Sequence, residues 1–246
     1  MTSNESHRNS TNETPYLQYE TWKGWDSLFQ VDDDSADYFQ RECAGLDIAD
    51  ANVLEIGFGS GSFVAWAVAR GARVCGVERI PALVEAARRF GIEVFEPEID
   101  RIAETHRHRF DSIFAFDVFE HLTLDEIRTE LDALGTMLKP GGHLLLRFPN
   151  AQSPFGLAPQ YGDPTHKTGL SRGVFEQMTQ GSGWKVVRYQ GAARAPGRTL
   201  SKRAVRWVRY AIQDLIGSVL NAVYAQKIPW DAVVVLVLRR DPAAGR

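Results

Sequence analysis

The sequence predicts an α/β fold, a mostly parallel sheet with helices on both faces. Three observations carry that expectation. Short apolar runs alternate with segments of helical period between residues 52 and 148. The first run ends in a glycine-rich turn, Gly57-Phe58-Gly59-Ser60-Gly61, that opens directly into a helical pattern. The chain has 246 residues, 44% of them hydrophobic, enough for one α/β domain with additions.

The elements read in order. Residues 52–56 form a strand and 62–70 a helix. Residues 73–77 form the second strand, and 81–90 a helix with Pro81 in its first turn, where a missing N–H costs nothing. Residues 93–95 are a short strand, followed by a loop or helix to about 106. Residues 112–116 form the fourth strand. Ile127, Leu131, Leu134 and Leu138 recur at helical spacing and define a helix over 124–138. Lys139-Pro-Gly-Gly142 is a turn, and 143–148 is the fifth strand. A Pro/Gly-rich loop spans 150–170, then a helix (171–181) and a strand (184–190). A long helical stretch over 198–227 separates that strand from a β-branched final one at 232–239. Without the helix these two strands would close as an antiparallel hairpin.

The flanks differ in character. Residues 1–14 are Ser/Thr/Asn/Glu-rich and read as a disordered tail. Residues 15–50 read as a helical segment dense in aromatics: Tyr16, Tyr19, Trp22, Trp25, Phe29, Tyr38 and Phe39. Such a segment either packs on the main domain (51–246) or covers a ligand as a lid. A net charge of −3 gives no global basic field, so nucleic acid is not an expected partner. Cys43 and Cys75 are too few for a disulfide framework and read as reduced thiols of a cytoplasmic protein. No secretory signal is present, and the apolar run 232–238 is too short to span a bilayer.

The glycine turn alone is a weak signal, and its neighbours sharpen it. A dinucleotide site expects a third glycine where this chain has Ser62. Here Glu55 precedes the turn, and a carboxylate there suits a ligand carrying an ammonium group. Glu78 ends the second strand, where a carboxylate can accept both hydroxyls of a ribose. Glu55 to Gly61 resembles the glycine-rich motif of class I S-adenosylmethionine-dependent methyltransferases, and Glu78 resembles their ribose-binding acid. Residues 110–122 resemble their fourth strand with the Glu-His-Leu that follows it, and residues 138–146 the approach to their fifth. The four motifs stand in the family's order over about 100 residues.

That resemblance implies a Rossmann-like sheet of seven strands, six parallel and one antiparallel, and S-adenosyl-L-methionine as cofactor. It implies cofactor contacts from Glu55, Gly57, Phe58, Gly59, Gly61, Glu78, Arg79, Asp117 and Val118. Many relatives follow their third strand with an acid for the adenine amine, and Glu98 is the best match here. It also makes 150–172 the loop facing the acceptor. A hydroxyl acceptor benefits from a general base. Two histidines qualify. His166 sits three residues after Asp163, as a base beside an orienting carboxylate; the alternative is a loop held by side-chain caps. His121 follows the fourth strand. Asp117, Glu120 and His121 are spaced like a cluster of quinone O-methyltransferases that can hold a divalent metal, although the reading preferred here has no metal. The remaining histidines read as tail (His7), solvated basic surface (His106, His108) and strand structure (His143).

The stretch from Phe148 to His166 resembles methyltransferases of polysaccharide and lipopolysaccharide assembly, so a sugar or glycan hydroxyl is the expected acceptor, with a quinone-like aromatic as the alternative. A degenerate nucleotide-binding Rossmann protein is the reading outside this class. The helix over 198–228 has an apolar face (Val205, Val208, Ile212, Leu215, Val219, Val223) and basic residues in its first half. It is expected to dock on the core or a second copy, with a peripheral membrane contact as the alternative.

Overall fold

The computed structural model describes residues 27–241. A seven-stranded sheet forms in the order β3-β2-β1-β4-β5-β7-β6. The strands are β1 (Asn52–Ile56), β2 (Arg73–Val77), β3 (Glu93–Phe95), β4 (Phe110–Phe116), β5 (Leu138–Pro149), β6 (Trp184–Gly191) and β7 (Val233–Arg240). All run parallel except β7, which pairs antiparallel with both β5 and β6. The strand order reverses between β1 and β4, and at such a switch point the loops after the two strands part and leave a crevice at their carboxyl ends.

The helices are α1 (Asp33–Glu42), α2 (Ser62–Val68), α3 (Pro81–Phe90), α4 (Ile99–Ile102), α5 (Leu124–Met137), α6 (Leu157–Gly162), α7 (Arg172–Met178) and α8 (Leu200–Val223). Two apolar layers sandwich the sheet. Leu54 and Ile56 belong to one, with Ile127, Leu131 and Leu134 of α5. Val53 belongs to the other, with Phe63, Val64 and Trp66 of α2 and Phe39 of α1. Thr123 caps α5 with a reciprocal box: its hydroxyl accepts from Glu126 N–H while the Glu126 carboxylate accepts from Thr123 N–H. Such a box fixes where a helix starts, and here it leaves Phe119–His121 as a single 3-10 turn after β4.

Four expectations change. The Lys139–Gly142 turn falls inside a longer β5, which reaches Pro149, as a break in its pairing with β4 between Leu138 and His143. Residues 150–170 are not structureless: a 3-10 turn at Pro154–Gly156 leads into α6, with Ser153 capping the turn and Pro154 at its first position. His106 is not simply solvated; it stacks on Phe95 with ring centroids 4.4 Å apart. The fourth change concerns α8. No residue of this 24-residue helix is buried, so its apolar face is not docked on the core. Tyr16, Tyr19, Trp22, Trp25, the tail at 1–14 and His7 lie outside the described residues.

Candidate active site

The crevice at the switch point holds a cavity of about 450 Å³, within the range that small-molecule sites occupy. Glu55, Gly57, Phe58, Gly59, Glu78, Arg79, Asp117, Val118 and His121 all line it. Eight of the ten residues expected to meet a cofactor are thus brought to one place. Gly61 contributes backbone shape instead: at φ +73° it caps α2, and a Cβ there would sit 2.5 Å from the Phe29 ring. Gly57, at φ +64°, would push a Cβ to 2.7 Å from Val118. Both positions need glycine on conformational and steric grounds.

Glu98 is the exception. It precedes α4, is exposed, and does not line the cavity, although its neighbours Pro97 and Ile99 do. A different carboxyl lines the cavity near Arg79, that of Glu130 on α5. Its Oε2 is buried without a hydrogen-bond partner. Burial raises the Glu130 pKa to about 7, against the opposing pull of Arg79. No sequence signal marked Glu130, because an acid on a helix face is ordinarily a solvated one.

Two acids define the other end. Glu55 is 3% exposed, and its Oε2 has no hydrogen-bond partner. Burial first, and the neighbouring Glu78 second, push its carboxyl well above the usual carboxylate range. Glu78 accepts from Gly59 N–H at 3.1 Å, Arg79 N–H at 2.7 Å and Ile80 N–H at 3.2 Å. Burial raises its pKa, and these three amides only partly offset the rise. An orphaned buried carboxylate oxygen beside a second buried acid is costly unless a ligand supplies donors or positive charge. A ligand with an ammonium group and a diol meets that need, so the residues present fit S-adenosylmethionine.

Asp117 lines the cavity with φ +56°, a conformation that non-glycine residues seldom adopt. Its carboxylate is gripped by Arg147, through Nε at 3.0 Å and through Nη2. Arg147 also donates to the Tyr38 hydroxyl at 3.2 Å. Burial opposes the Arg147 charge, but Asp117 and Tyr38 outweigh it and hold the guanidinium cationic. Arg147 was missed in the sequence, yet a signal existed: it is a lone cation in the apolar run Leu144-Leu-Leu-Arg-Phe148. Through Tyr38 and Phe39, α1 reaches the cavity wall.

The histidines are arranged differently from the expectation. His166 does not line the cavity; its side chain is 8% exposed. His166 Nδ1 lies 2.9 Å from the Gln160 carbonyl and must donate to it, because a carbonyl only accepts. His166 Nε2 stands 3.9 Å from both Glu120 and Asp163, too long for a hydrogen bond. Asp163 is therefore not the hydrogen-bonded partner of His166. It accepts instead from the Thr165 hydroxyl and amide. Thr165 Oγ1 in turn lies 2.9 Å from His121 Nδ1. With its own proton given to Asp163, the hydroxyl accepts from His121 Nδ1–H. Burial raises the Asp163 pKa, but the Thr165 bonds and the two imidazoles win and hold it below the ordinary range.

The metal-type cluster also regroups. Glu120, His121 and His166 offer ligand atoms within 4.8 Å of one another, while Asp117 is committed to Arg147. The loop after α6 clamps this turn, with Lys167 N–H and Thr168 N–H both donating to Glu120 O and the Thr168 hydroxyl donating to Leu122 O. Of the 150–172 segment, Lys167 is the residue that lines the cavity.

The switch point, the glycine turn and the antiparallel seventh strand make this a Rossmann-like domain with a ligand crevice. A family model described as a methyltransferase domain matches residues 30–200, and the chain belongs to that family. That family and fold are those of S-adenosyl-L-methionine-dependent methyltransferases. Among curated proteins it is similar to the ubiquinone biosynthesis O-methyltransferase of Xanthomonas oryzae pv. oryzae, 30% identical over 109 residues (42% of this chain, 45% of the relative). The protein of the same description from Alkalilimnicola ehrlichii is 27% identical over 116 residues (44% and 45%). The matched region thus spans less than half the length of these relatives. Among solved structures, an S-adenosylmethionine-dependent methyltransferase from Archaeoglobus fulgidus superposes with a TM-score of 0.58 at 17% identity, covering 82% of this chain and 90% of that one. One from Mesorhizobium loti gives 0.58 at 14% identity, covering 83% and 98%. At these identities the structures share the fold.

Proposed function

We propose that the chain methylates a hydroxyl of a small, flat, polyoxygenated acceptor of phenolic or quinol type, with His121 as the general base. The observation that carries this reading is the chain of contacts from Asp163 through Thr165 to His121, ending at the cavity wall. With Nδ1–H donated to Thr165, His121 Nε2 carries the lone pair and can take the acceptor's proton. Asp163 stabilises the imidazolium that results, as the buried carboxylate does in other His–carboxylate pairs.

Bound S-adenosylmethionine supplies an electrophilic methyl group on a sulfonium. In this reading Glu55 meets the ammonium of the methionyl end and Glu78 the ribose diol. Glu130, rather than Glu98, faces the adenine edge. The helix α1 serves as part of a lid, with Phe39 closing the wall beside Phe116. Those two rings suit a flat acceptor, and the curated relatives are ubiquinone biosynthesis O-methyltransferases. The glycan hydroxyl preferred on sequence forms the second arm of the test.

The purified chain is titrated with S-adenosylmethionine by calorimetry, then assayed for methyl transfer to catechols and quinols on one side and to nucleotide-sugars on the other, with and without chelator. Micromolar cofactor binding and chelator-insensitive transfer to the phenolic set are expected. Transfer to the sugars alone overturns the acceptor assignment. Loss of turnover on chelation overturns the His121 base and gives the Glu120–His121–His166 cluster to a metal.

A further inference from the structure

The helix α8 is amphipathic the wrong way round for a helix docked on its own domain. The side turned to the protein is polar. Arg206 pairs with Asp34 at 2.6 Å and donates to Ala195 O, Tyr210 donates to the same carbonyl, and Asp214 pairs with Arg194. Asn221 accepts from Trp230 Nε1 at 2.9 Å. The opposite side is apolar and turned to solvent: Val205, Ile212, Leu215, Val219 and Val223 are between 51% and 69% exposed, and Trp207 is 71% exposed. These residues recur at helical spacing over positions 205–223 of the 24-residue helix, about 28 Å at 1.5 Å per residue. Aqueous monomers seldom leave a contiguous apolar stripe of that length uncovered.

Charge says what covers it. The one acid in the helix, Asp214, is tied to Arg194 on the inner side. Lys202, Arg203 and Arg209 are exposed and form no ion pair among the described residues. The outer surface of α8 is therefore apolar, flanked along its first half by the exposed cations Lys202, Arg203 and Arg209, which lie three or four residues from Arg206, and it carries no uncompensated anion. That combination fits the interface of an anionic bilayer: side chains sink among the acyl chains while Lys and Arg meet the headgroups. No described helix is long and apolar enough to cross a membrane, so the contact lies along the surface. We propose that α8 docks the protein flat on an anionic lipid surface.

The test is flotation of the full chain with phosphatidylglycerol/phosphatidylcholine vesicles, against vesicles of phosphatidylcholine alone. The chain should float with the anionic vesicles and at least tenfold less with the neutral ones. Replacing Lys202, Arg203 and Arg209 with Gln should lower partitioning on the order of 100-fold. Ile212→Glu with Leu215→Glu should abolish it. Both variants should keep a cooperative melt close to the wild-type temperature, because the altered side chains are exposed. Flotation equal on both vesicle types, or unmoved by these variants, overturns the proposal. A dimer that sediments as such, is broken by Ile212→Glu with Leu215→Glu, and shows no vesicle binding overturns it as well, and gives the face to a second copy. None of these readouts depends on the acceptor or the base.

Discussion

The two ends of the cavity are built on different physics. At the Glu55 and Glu78 end, backbone does the positioning: three glycines at positive φ shape the turn between the two acids and three amide N–H groups hold Glu78, where burial raises the proton affinity of both carboxyls. At the His121 end, side chains position side chains, through a Thr165 hydroxyl and an Asp163 carboxylate supplied by a loop more than 40 residues further along the chain. The first arrangement is local in sequence and was legible as a motif. The second is assembled by folding. Local motifs of this kind describe what a cofactor needs, while residues brought together from distant segments set what is done with it.

The comparison breaks most sharply at His121. Its replacement by Ala should cut turnover at least about 100-fold, the usual scale of a general-base contribution, with cofactor affinity unchanged. The deficit should shrink as pH rises, because hydroxide then ionises the acceptor unaided. His166→Ala should cost far less turnover, since His166 does not line the cavity and its Nδ1 is committed to the Gln160 carbonyl. Equal losses at both positions, measured as kcat on one acceptor, would return the base to His166. A smaller effect belongs to Thr165→Val, which keeps the shape and removes the hydroxyl. If Thr165 only positions His121, kcat should fall about tenfold, a loss near the ~1.4 kcal/mol of one charge-linked hydrogen bond. KM for the cofactor should hold, and Thr165→Ser should restore most of the rate. A fall in melting temperature with kcat intact would make Thr165 a loop cap and nothing more.

Sequence and structure agree best where one element determines its own surroundings. The seven strands, the glycine turn and the acids Glu55 and Glu78 all follow from short-range pattern, because strand burial and turn chemistry are decided within a few residues. Periodicity alone fails for α5 and α8. Both carry apolar residues at helical spacing, yet α5 buries Ile127, Leu131 and Leu134 while α8 buries nothing. A hydrophobic stripe states that a face wants cover and leaves open what covers it. The same limit applies to the loop: spacing set Asp163 beside His166, but it could not show that Asp163 bonds Thr165, which in turn meets His121. Arg147 and Glu130 lay outside the motifs altogether, since their burial is a property of the closed crevice.

The smallest expected effect separates Glu130 from the two acids at the opposite end. Its pKa is raised to about 7 by burial, against an ordinary value of 4.5. The folded state therefore binds this proton more tightly than the unfolded chain does. Its contribution to stability is present below the unfolded value and is lost as pH rises through about 7. Glu130→Gln removes that titration. The variant should match the wild type near pH 4.5 and be more stable above pH 7, by about 1 kcal/mol once the partial exposure of the group is discounted. Urea melts at pH 5 and pH 8 read the difference directly. An equal stability difference at both pH values would show that Glu130 titrates normally. It would also weaken the case for Glu130 at the adenine edge, since both arguments rest on the same buried, unpartnered oxygen. A bound cofactor that donates to that oxygen should shrink the gap at pH 8, which links the stability measurement back to the site.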